Sequence, residues 1–444
     1  MIQRRLLFLR KYSLLFKQFV AYVKGDGGVV ESVDYLYSKF TQAPNASILQ
    51  IPTSYKTSVL YNQEPFNPSE DFDVVRNSVV NRIAPSGLLE EIGVNVPCID
   101  YATGEPLLLP QPQSTNLINY SEDFTQWSGS NGILTSNATE SPTGDLNATE
   151  IQNASIGTVA VYQRNLGVLN AENHTYSIYV KYKEGNIRFN LRTGGAGSSG
   201  SIFTISENDV TLVSSARRTK IEDVGNGWFR ISVDFDSDGI QSINAQLRGD
   251  TDGTTNAFYI WGAQVEQQPF ATSYIFTDGN VATRLKDQIQ NAGSTDTINS
   301  EEGVLYFEGA ALTNVDGVLE RTISLSDGTA DNRLFIKYDD TSNKVEFIYR
   351  KDAINTAIIT VNDVQVLEIN SFVLAWDDEN IYTYVNEVPE GEAVISDTPF
   401  SANTLNTFNL NNGTGGSNLY AKIKELRVYK SIAEAQIDLP YITL

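Results

Sequence analysis

The chain has little cysteine, little histidine and no long apolar run near its start. Its 444 residues include one cysteine, Cys98, and one histidine, His174. A single cysteine excludes an internal disulfide and a zinc site built from several cysteines. We therefore expect Cys98 to be a small buried side chain. No serine or cysteine nucleophile motif lies near His174, so a surface or capping histidine is expected there.

Positive charge is also scarce. Lysine and arginine number 32 against 54 acidic residues, which gives a formal net charge of −22. Phosphate binding needs clustered lysines and arginines, so this balance argues against nucleic acid as a partner. The basic residues are unevenly spread, because residues 1–24 contain six of them and no acid. A basic, apolar head therefore precedes a strongly acidic body.

The head is predicted to be a helix that anchors the chain through residues 1–45. Adjacent polar residues recur every seven positions and leave apolar residues around most of the circumference. The apolar runs Leu6–Leu9 and Leu14–Phe16 are interrupted by basic residues and are too short for a secretion signal or a membrane span. The candidate anchor residues are Arg4, Leu6, Leu9, Arg10, Leu14, Phe16, Lys17 and Phe19.

Something must cover so apolar a helix. Its cover is either the chain's own domains or another protein of an assembly, and a membrane surface is a weaker third alternative.

The body alternates apolar and polar residues, as in 174–183 and 228–236, and such alternation predicts half-buried strands. Clusters of Gly, Asn and Asp separate these runs. We therefore predict a mainly β fold with two tandem β-sandwiches, preceded by the helical anchor and an extended connector. The predicted segments are the anchor 1–45, the connector 46–112, a first sandwich 113–284, a linker 285–303 and a second sandwich 304–444.

Two strands carry more detailed expectations. In the last strand the apolar residues change parity between Ile423 and Leu426, which predicts a β-bulge near Lys424 and Glu425. In the strand before Pro269, plain alternation would place Trp261 on the same face as Ala263 and Val265.

One motif suggests a cofactor. Asp234, Asp236 and Asp238, followed by Gly239, match the first half of a calcium-binding loop, where oxygen ligands alternate before a glycine turn. The twelfth position is Ala245 instead of Glu, and no helical pattern flanks the motif. The two alternatives are a calcium site and a solvated end of a strand.

Other residues have both a chemical and a structural interpretation. Asp377 and Asp378 stand side by side, but adjacent strand residues point to opposite faces, so a charged turn explains them better than a catalytic pair. The four tryptophans could stack on sugar rings, although a sandwich core is the commoner place for them. They are Trp127, Trp228, Trp261 and Trp376.

Three segments resemble a module that recurs in phage tail-fibre and other virion appendage proteins. They are PQSTNLINYSEDFTQW at 112–127, GNGWFRISVDF at 225–235 and IWGAQVEQQPFATSYIFTDGNVATRLKD at 260–287. Residues 71–101 also resemble the segment that precedes this module, with Cys98 where arginine is usual. The C-terminal strands are similar, less specifically, to concanavalin-A and laminin-G sandwiches.

The resemblance implies a jelly roll like a carbohydrate-binding module, followed by a lectin-like sandwich. It further implies a non-enzymatic virion protein of a tail or head fibre, a homotrimer held by its head to other virion proteins. The β domains would then face host-surface glycans. A purely architectural protein without sugar binding and a glycan depolymerase are the alternative functions.

Overall fold

The computed structural model describes residues 16–21, 23–24, 29–31, 33–62, 70–155, 158–194, 200–215, 217–250, 257–314 and 321–443. In these ranges the chain consists mainly of antiparallel strands, which confirms the mainly β fold class. None of the helices described in these ranges has the length and apolar character needed to cross a membrane.

The strands and helices are numbered in chain order. The first group is β1 (Val29–Val30), β2 (Ile48–Lys56), β3 (Val59–Asn62), β4 (Phe72–Val75), β5 (Val80–Ile83), β6 (Leu89–Ile92), β7 (Ile99–Asp100), β8 (Leu107–Leu108) and β9 (Ser114–Asn116). The second group is β10 (Ser128–Ser130), β11 (Gly132–Thr139), β12 (Ala148–Asn153), β13 (Ala160–Val168), β14 (Asn173–Glu184), β15 (Ile187–Gly194), β16 (Gly200–Ser206), β17 (Asp209–Ser215), β18 (Thr219–Asp223), β19 (Trp228–Asp236), β20 (Ser242–Asp250) and β21 (Ala257–Glu266). The third group is β22 (Ala282–Arg284), β23 (Gln288–Gln290), β24 (Gly303–Ala311), β25 (Arg321–Ser326), β26 (Arg333–Tyr338), β27 (Val345–Lys351), β28 (Ile354–Val361), β29 (Asn370–Trp376), β30 (Asn380–Val385), β31 (Val388–Val394), β32 (Thr407–Asn409) and β33 (Ala421–Tyr429). The helices are α1 (Val33–Gln42), α2 (Ile432–Asp438) and a 3₁₀ turn, Phe124–Gln126. Residues 16–21 and 23–24 are also helical, and they are referred to as the head helix segment.

Strands β10 to β21 form a sandwich that lies wholly within residues 128–266. One sheet has the order β10-β13-β20-β15-β16-β17, and the other has the order β11-β12-β21-β14-β19-β18. Alternate residues of each strand point inward, so Ile178 and Val180 of β14 share one apolar core with Phe189 and Leu191 of β15. We refer to this unit as the inner sandwich.

Most of the remaining strands form a second sandwich, built from strands that precede and follow the inner one in the sequence, whereas β5 with β6 and β9 with β22 form separate two-stranded sheets. Its large sheet runs β23-β4-β3-β2-β33-β24-β29-β30-β31, and the facing sheet runs β28-β27-β26-β25-β32. Phe307 and Phe372 stack in the core with ring centroids 5.5 Å apart, and Ile336 and Phe347 of the facing sheet close the core from the other side. We refer to this unit as the outer sandwich.

Residues 46–112 are not an extended connector, so that prediction is wrong. Strand β2 pairs with β33, with Ile48 opposite Val428, and residues 48–54 of β2 are all buried. Strand β4 pairs with β23, which lies in the predicted linker 285–303. The inner sandwich is therefore inserted between strands of the outer one, and the two do not simply follow each other along the chain.

Helical segments cover the outer face of the large sheet. The rings of Phe16 and Phe19 lie 5.4 and 5.2 Å from the ring of Phe40 in α1, and this cluster continues onto Val304 and Val373 of the sheet. The described part of the head thus packs on the chain's own body, the first of the three predicted covers. Lys17 of the same helical segment is exposed. The anchor residues Arg4, Leu6, Leu9, Arg10 and Leu14 lie outside the described residues.

The bulge expected in the last strand is confirmed. Glu308 of β24 lies opposite Glu425 of β33, and the next residue, Gly309, lies opposite Ile423. Lys424 is therefore the extra residue, and Ile423 and Leu426 both face the core. The bulge directs Lys424 and Glu425 to the helix-covered side of the sheet.

A second bulge corrects the expectation for β21. Gly262 has φ of +61°, a left-handed conformation that glycine adopts at little cost, and the register with β14 shifts there. Trp261 consequently packs with Trp228 and Tyr274 in a small cluster outside the sandwich core, whereas Ala263 and Val265 face the core itself. The three residues do not share a face.

Candidate binding cleft

A cleft of about 730 Å³ opens on the helix-covered side of the large sheet. Its walls are α1, the C-terminal segment after α2, and the turn between β30 and β31. Its lining residues are Tyr35, Ser38, Lys39, Gln42, Glu105, Tyr306, Glu308, Glu387, Lys424, Arg427, Asp438, Leu439, Pro440 and Tyr441. They are mostly charged, polar and aromatic side chains.

The floor of the cleft is formed by residues of β24 and by the bulged part of β33. On β24, Tyr306 and Glu308 alternate with core residues and so face the cleft. Lys424 Nζ lies 3.1 Å from Glu308 Oε1, and the Tyr306 hydroxyl donates to Glu308 Oε2 at 3.2 Å. Because a bulge adds one residue to a strand, it redirects side chains without interrupting the sheet.

Below the floor of the cleft, one buried carboxylate pairs with two positively charged side chains. Glu425 is fully buried, with Lys39 Nζ 2.9 Å from one oxygen and Arg427 Nε 2.5 Å from the other. The Arg427 guanidinium lies 4.6 Å from the centre of the Tyr306 ring, a cation–π distance. Burial, the largest single effect, lowers the pKa of Arg427, but Glu425, Tyr429 and Tyr306 together raise it, so this pKa lies above its ordinary value.

The tyrosines of the cleft stay protonated at neutral pH. Burial raises the pKa of Tyr306 and Tyr35 well above the usual value, and it raises the pKa of Tyr441 to about 12. A neutral phenol can donate and accept hydrogen bonds, and its ring offers an apolar face. The cleft can therefore hold a ligand that has both hydroxyl groups and apolar faces.

The three aspartates of the predicted calcium loop have protein partners in the structure. Arg218 donates to Asp234 Oδ2 from Nε at 2.9 Å and from Nη2 at 2.7 Å. Arg217 Nη1 pairs with Asp236 at 2.6 Å, and Asp238 accepts hydrogen bonds from two backbone amides of its own turn. No group of acidic, histidine or cysteine side chains suited to a metal occurs in the part of the chain that the structure describes. The motif is a strand end whose carboxylates already have partners.

All four tryptophans are buried, Trp127 and Trp376 in the two sandwich cores and Trp228 and Trp261 in the small cluster outside them. Trp127, Trp228, Trp261 and Trp376 are each at most 5% exposed, so none presents an open ring face to a sugar. The indole of Trp127 donates to the carbonyl of Tyr120 at 3.0 Å. In the cleft, Tyr35 and Tyr441 are half-buried and leave part of their rings open to a ligand.

Asp377 belongs to a turn between β29 and β30. Its Oδ1 accepts hydrogen bonds from the backbone amides of Glu379 and Asn380 at 2.8 and 2.7 Å, and Asp378 is exposed. The charged-turn interpretation is confirmed.

His174 and Cys98 are both buried. The His174 ring stacks on Phe235 with centroids 5.4 Å apart, and its Nδ1 lies 2.9 Å from the carbonyl oxygen of Glu172. Of the two expected roles, surface or capping, the surface one is wrong, because the ring is buried and contacts a backbone carbonyl at the start of β14. Burial raises the pKa of the Cys98 thiol to about 12, so the thiolate is not formed at neutral pH.

Sequence reasoning missed the cleft, because its residues come from separate parts of the chain. Positions 35–42, 306–308, 424–427 and 438–441 are brought together only by the pairing of β24 with β33 and by the two helices. The sequence around Arg427 gave no sign of the cleft, because a charged residue between Leu426 and Val428 is the ordinary pattern of a half-exposed strand. Only the structure shows that Glu425 and Arg427 are buried.

The chain matches no family model and no curated protein. Among solved structures, it is similar to the CBM40 domain of a Ruminococcus gnavus IT-sialidase bound to α2,3-sialyllactose, at 13% identity over 32% of this chain and 83% of that one, with a TM-score of 0.27. It is similar to domains LG4-5 of the mouse laminin α1 chain, at 10% identity over 62% and 88%, with a TM-score of 0.22. It is also similar to a putative carbohydrate binding protein from Bacteroides ovatus, at 12% identity over 63% and 79%, with a TM-score of 0.25.

Carbohydrate-binding modules and laminin G domains are thus among the structures that this chain resembles. At TM-scores this low the similarity carries no argument about ligand or activity. The functional proposal rests on the cleft and on the sequence.

Proposed function

We propose that this chain is a non-enzymatic structural protein of a bacteriophage particle, in a tail or head fibre, and that it binds host-surface glycans. The observation that carries the glycan part is the cleft, where Tyr35, Tyr306 and Tyr441 stand beside paired charges. Sugars present hydroxyl groups and apolar ring faces, and this set of side chains complements both. The sequence resemblance of residues 112–127 and 260–287 supports the phage part.

The proposed mechanism is multivalent adhesion. A single cleft of this size makes few contacts, so each glycan would be held weakly. Several copies on one particle, as in a homotrimeric fibre, raise the overall affinity because the later contacts form within an already bound assembly. The net charge of −22 suits a protein that stays soluble at high local concentration.

Binding of the full chain to a glycan array tests this proposal. We expect signal on a defined set of glycans, and Tyr441→Ala should weaken it because this side chain forms one wall of the cleft. Phe276→Ala is the matched control, since Phe276 is an exposed aromatic outside the cleft. Immunogold labelling of intact particles tests the location, and particles without the chain would contradict the virion role.

An architectural protein without sugar binding is the second candidate, favoured by the burial of all four tryptophans. A chain that labels particles but binds no array glycan would support it. The third candidate is a depolymerase, in which case the chain would cleave host polysaccharide and Asp377→Asn would abolish turnover.

A further inference from the structure

Among the residues that the structure describes, each positive charge facing the cleft is paired with a carboxylate. Lys39 and Arg427 share Glu425. Lys424 Nζ lies 3.1 Å from Glu308 and 3.7 Å from Glu105. An incoming anion would therefore have to displace an internal carboxylate before it could pair with a cation.

Negative charges are in excess in the same cleft. Beyond Glu308 and Glu105, the lining includes Glu387, in the turn before β31, and Asp438, whose oxygens accept from the backbone and side-chain amides of Asn45 at 3.0 and 2.7 Å. With the buried Glu425, five carboxylates stand against three cations among the described residues. The formal balance is two negative charges.

Building on the proposed function, we propose that the cleft selects an uncharged hexopyranose unit and discriminates against sialic and uronic acids. A sugar carboxylate would meet Glu387 and Asp438 without a free cation, and an unpaired charge that loses water is costly. Neutral hydroxyl groups meet no such penalty, because they donate to carboxylates and accept from ammonium and guanidinium groups. The phenol ring of Tyr441 supplies an apolar wall for the sugar ring.

An array of matched pairs tests the inference, with each neutral oligosaccharide printed beside the same oligosaccharide capped by sialic acid. Titration calorimetry of the full chain with the strongest pair then gives the ratio of affinities. We expect the capped form to bind about tenfold more weakly or worse, which corresponds to about 1.4 kcal/mol. The preference should shrink at high salt, because salt screens repulsion between charges.

Two charge reversals locate the effect. Glu387→Lys should reduce the preference for the neutral form, because it replaces a repelling carboxylate at the cleft by a cation. Glu390→Lys is the matched control, an equally exposed glutamate of β31 that does not line the cleft, and it should leave the preference unchanged.

The two proposals fail in different ways. Equal or tighter binding of the capped glycans, or a neutral-form preference that Glu387→Lys and Glu390→Lys change alike, would overturn the inference while leaving glycan binding intact. Glycan binding that Tyr441→Ala does not weaken would place the site elsewhere and overturn the inference as well. Absence of binding to every array glycan would remove the proposed adhesion function itself.

Discussion

Arg76 Nη1 and Asp287 Oδ1 lie 2.8 Å apart, although 211 residues separate them in the sequence. Both side chains are buried. The other oxygen of Asp287 accepts the backbone amide of Gln111 at 2.9 Å, and the guanidinium of Arg284 lies 3.8 Å away. One carboxylate thus joins the chain that enters the inner sandwich to the chain that leaves it.

Asp287→Ala should destabilise the protein by about 3–5 kcal/mol, because it leaves a buried guanidinium without its carboxylate. Urea denaturation measures the loss. Asp278→Ala, at an exposed acid nearby, should change stability by no more than about 0.5 kcal/mol. The double variant Arg76→Met with Asp287→Leu should lose less than Asp287→Ala, since it removes both charges. Equal losses for Asp287→Ala and Asp278→Ala would contradict the importance of the pair.

Calcium should leave the protein unchanged. The carboxylates of Asp234 and Asp236 are paired with Arg218 and Arg217, so we expect Tm in calcium and in EDTA to agree within about 1 °C, as no ligand stabilises the folded state. Asp234→Asn should cost about 1–2 kcal/mol through the lost charge-assisted hydrogen bonds, and Asp236→Asn should cost about 0.5 kcal/mol or less because that pair is exposed. If calcium raised Tm and Asp238→Ala abolished that rise, the motif would be shown to bind calcium.

Phe19→Ala should destabilise the outer sandwich by about 3–5 kcal/mol. The side chain is 1% exposed and packs on Phe40, so truncation leaves a cavity. Lys17→Ala, on the exposed face of the same helical segment, is the control and should be nearly neutral. Thermal unfolding followed by near-UV circular dichroism compares the two. If Phe19→Ala and Lys17→Ala had the same thermal stability, the packing of the head on the outer sandwich would be contradicted.

Acid should weaken the inner sandwich through His174. Burial lowers the pKa of this imidazole below its ordinary value of 6.5, so below about pH 6.5 the unfolded chain takes up a proton that the folded chain does not. Stability attributable to the neutral ring is therefore present above that pH and lost as the pH falls. His174→Gln should remove this slope between about pH 7.5 and pH 5. Asp236, whose pKa is lowered by the side chains of Asn173 and Arg217, acts in the same direction at lower pH.

Local patterns predicted the strands well and their partners poorly. The parity change between Ile423 and Leu426 fixed the bulge, because side-chain alternation is a property of one strand. Nothing in residues 48–56 specifies a partner 380 positions away, such as Val428 for Ile48, and so the segment was predicted to be a connector. Gly262 places Trp261 on the face opposite to the one that alternation predicts. The left-handed backbone conformation of this glycine cannot be read from the pattern of apolar residues. The cleft depends on these distant pairings and was not predictable from motifs.

The insertion of one sandwich into the other sets an order of assembly during synthesis. The strands of the inner sandwich have all been synthesised once residue 266 has been made, so this unit can fold, after it leaves the ribosome, while translation of the rest continues. Strand β2 cannot pair on both sides until β33, residues 421–429, has left the ribosome. During most of translation, therefore, one edge of β2 has no partner strand. An unpaired apolar edge of this kind can pair with other nascent chains. The last strand to be synthesised thus decides whether the first ones are protected.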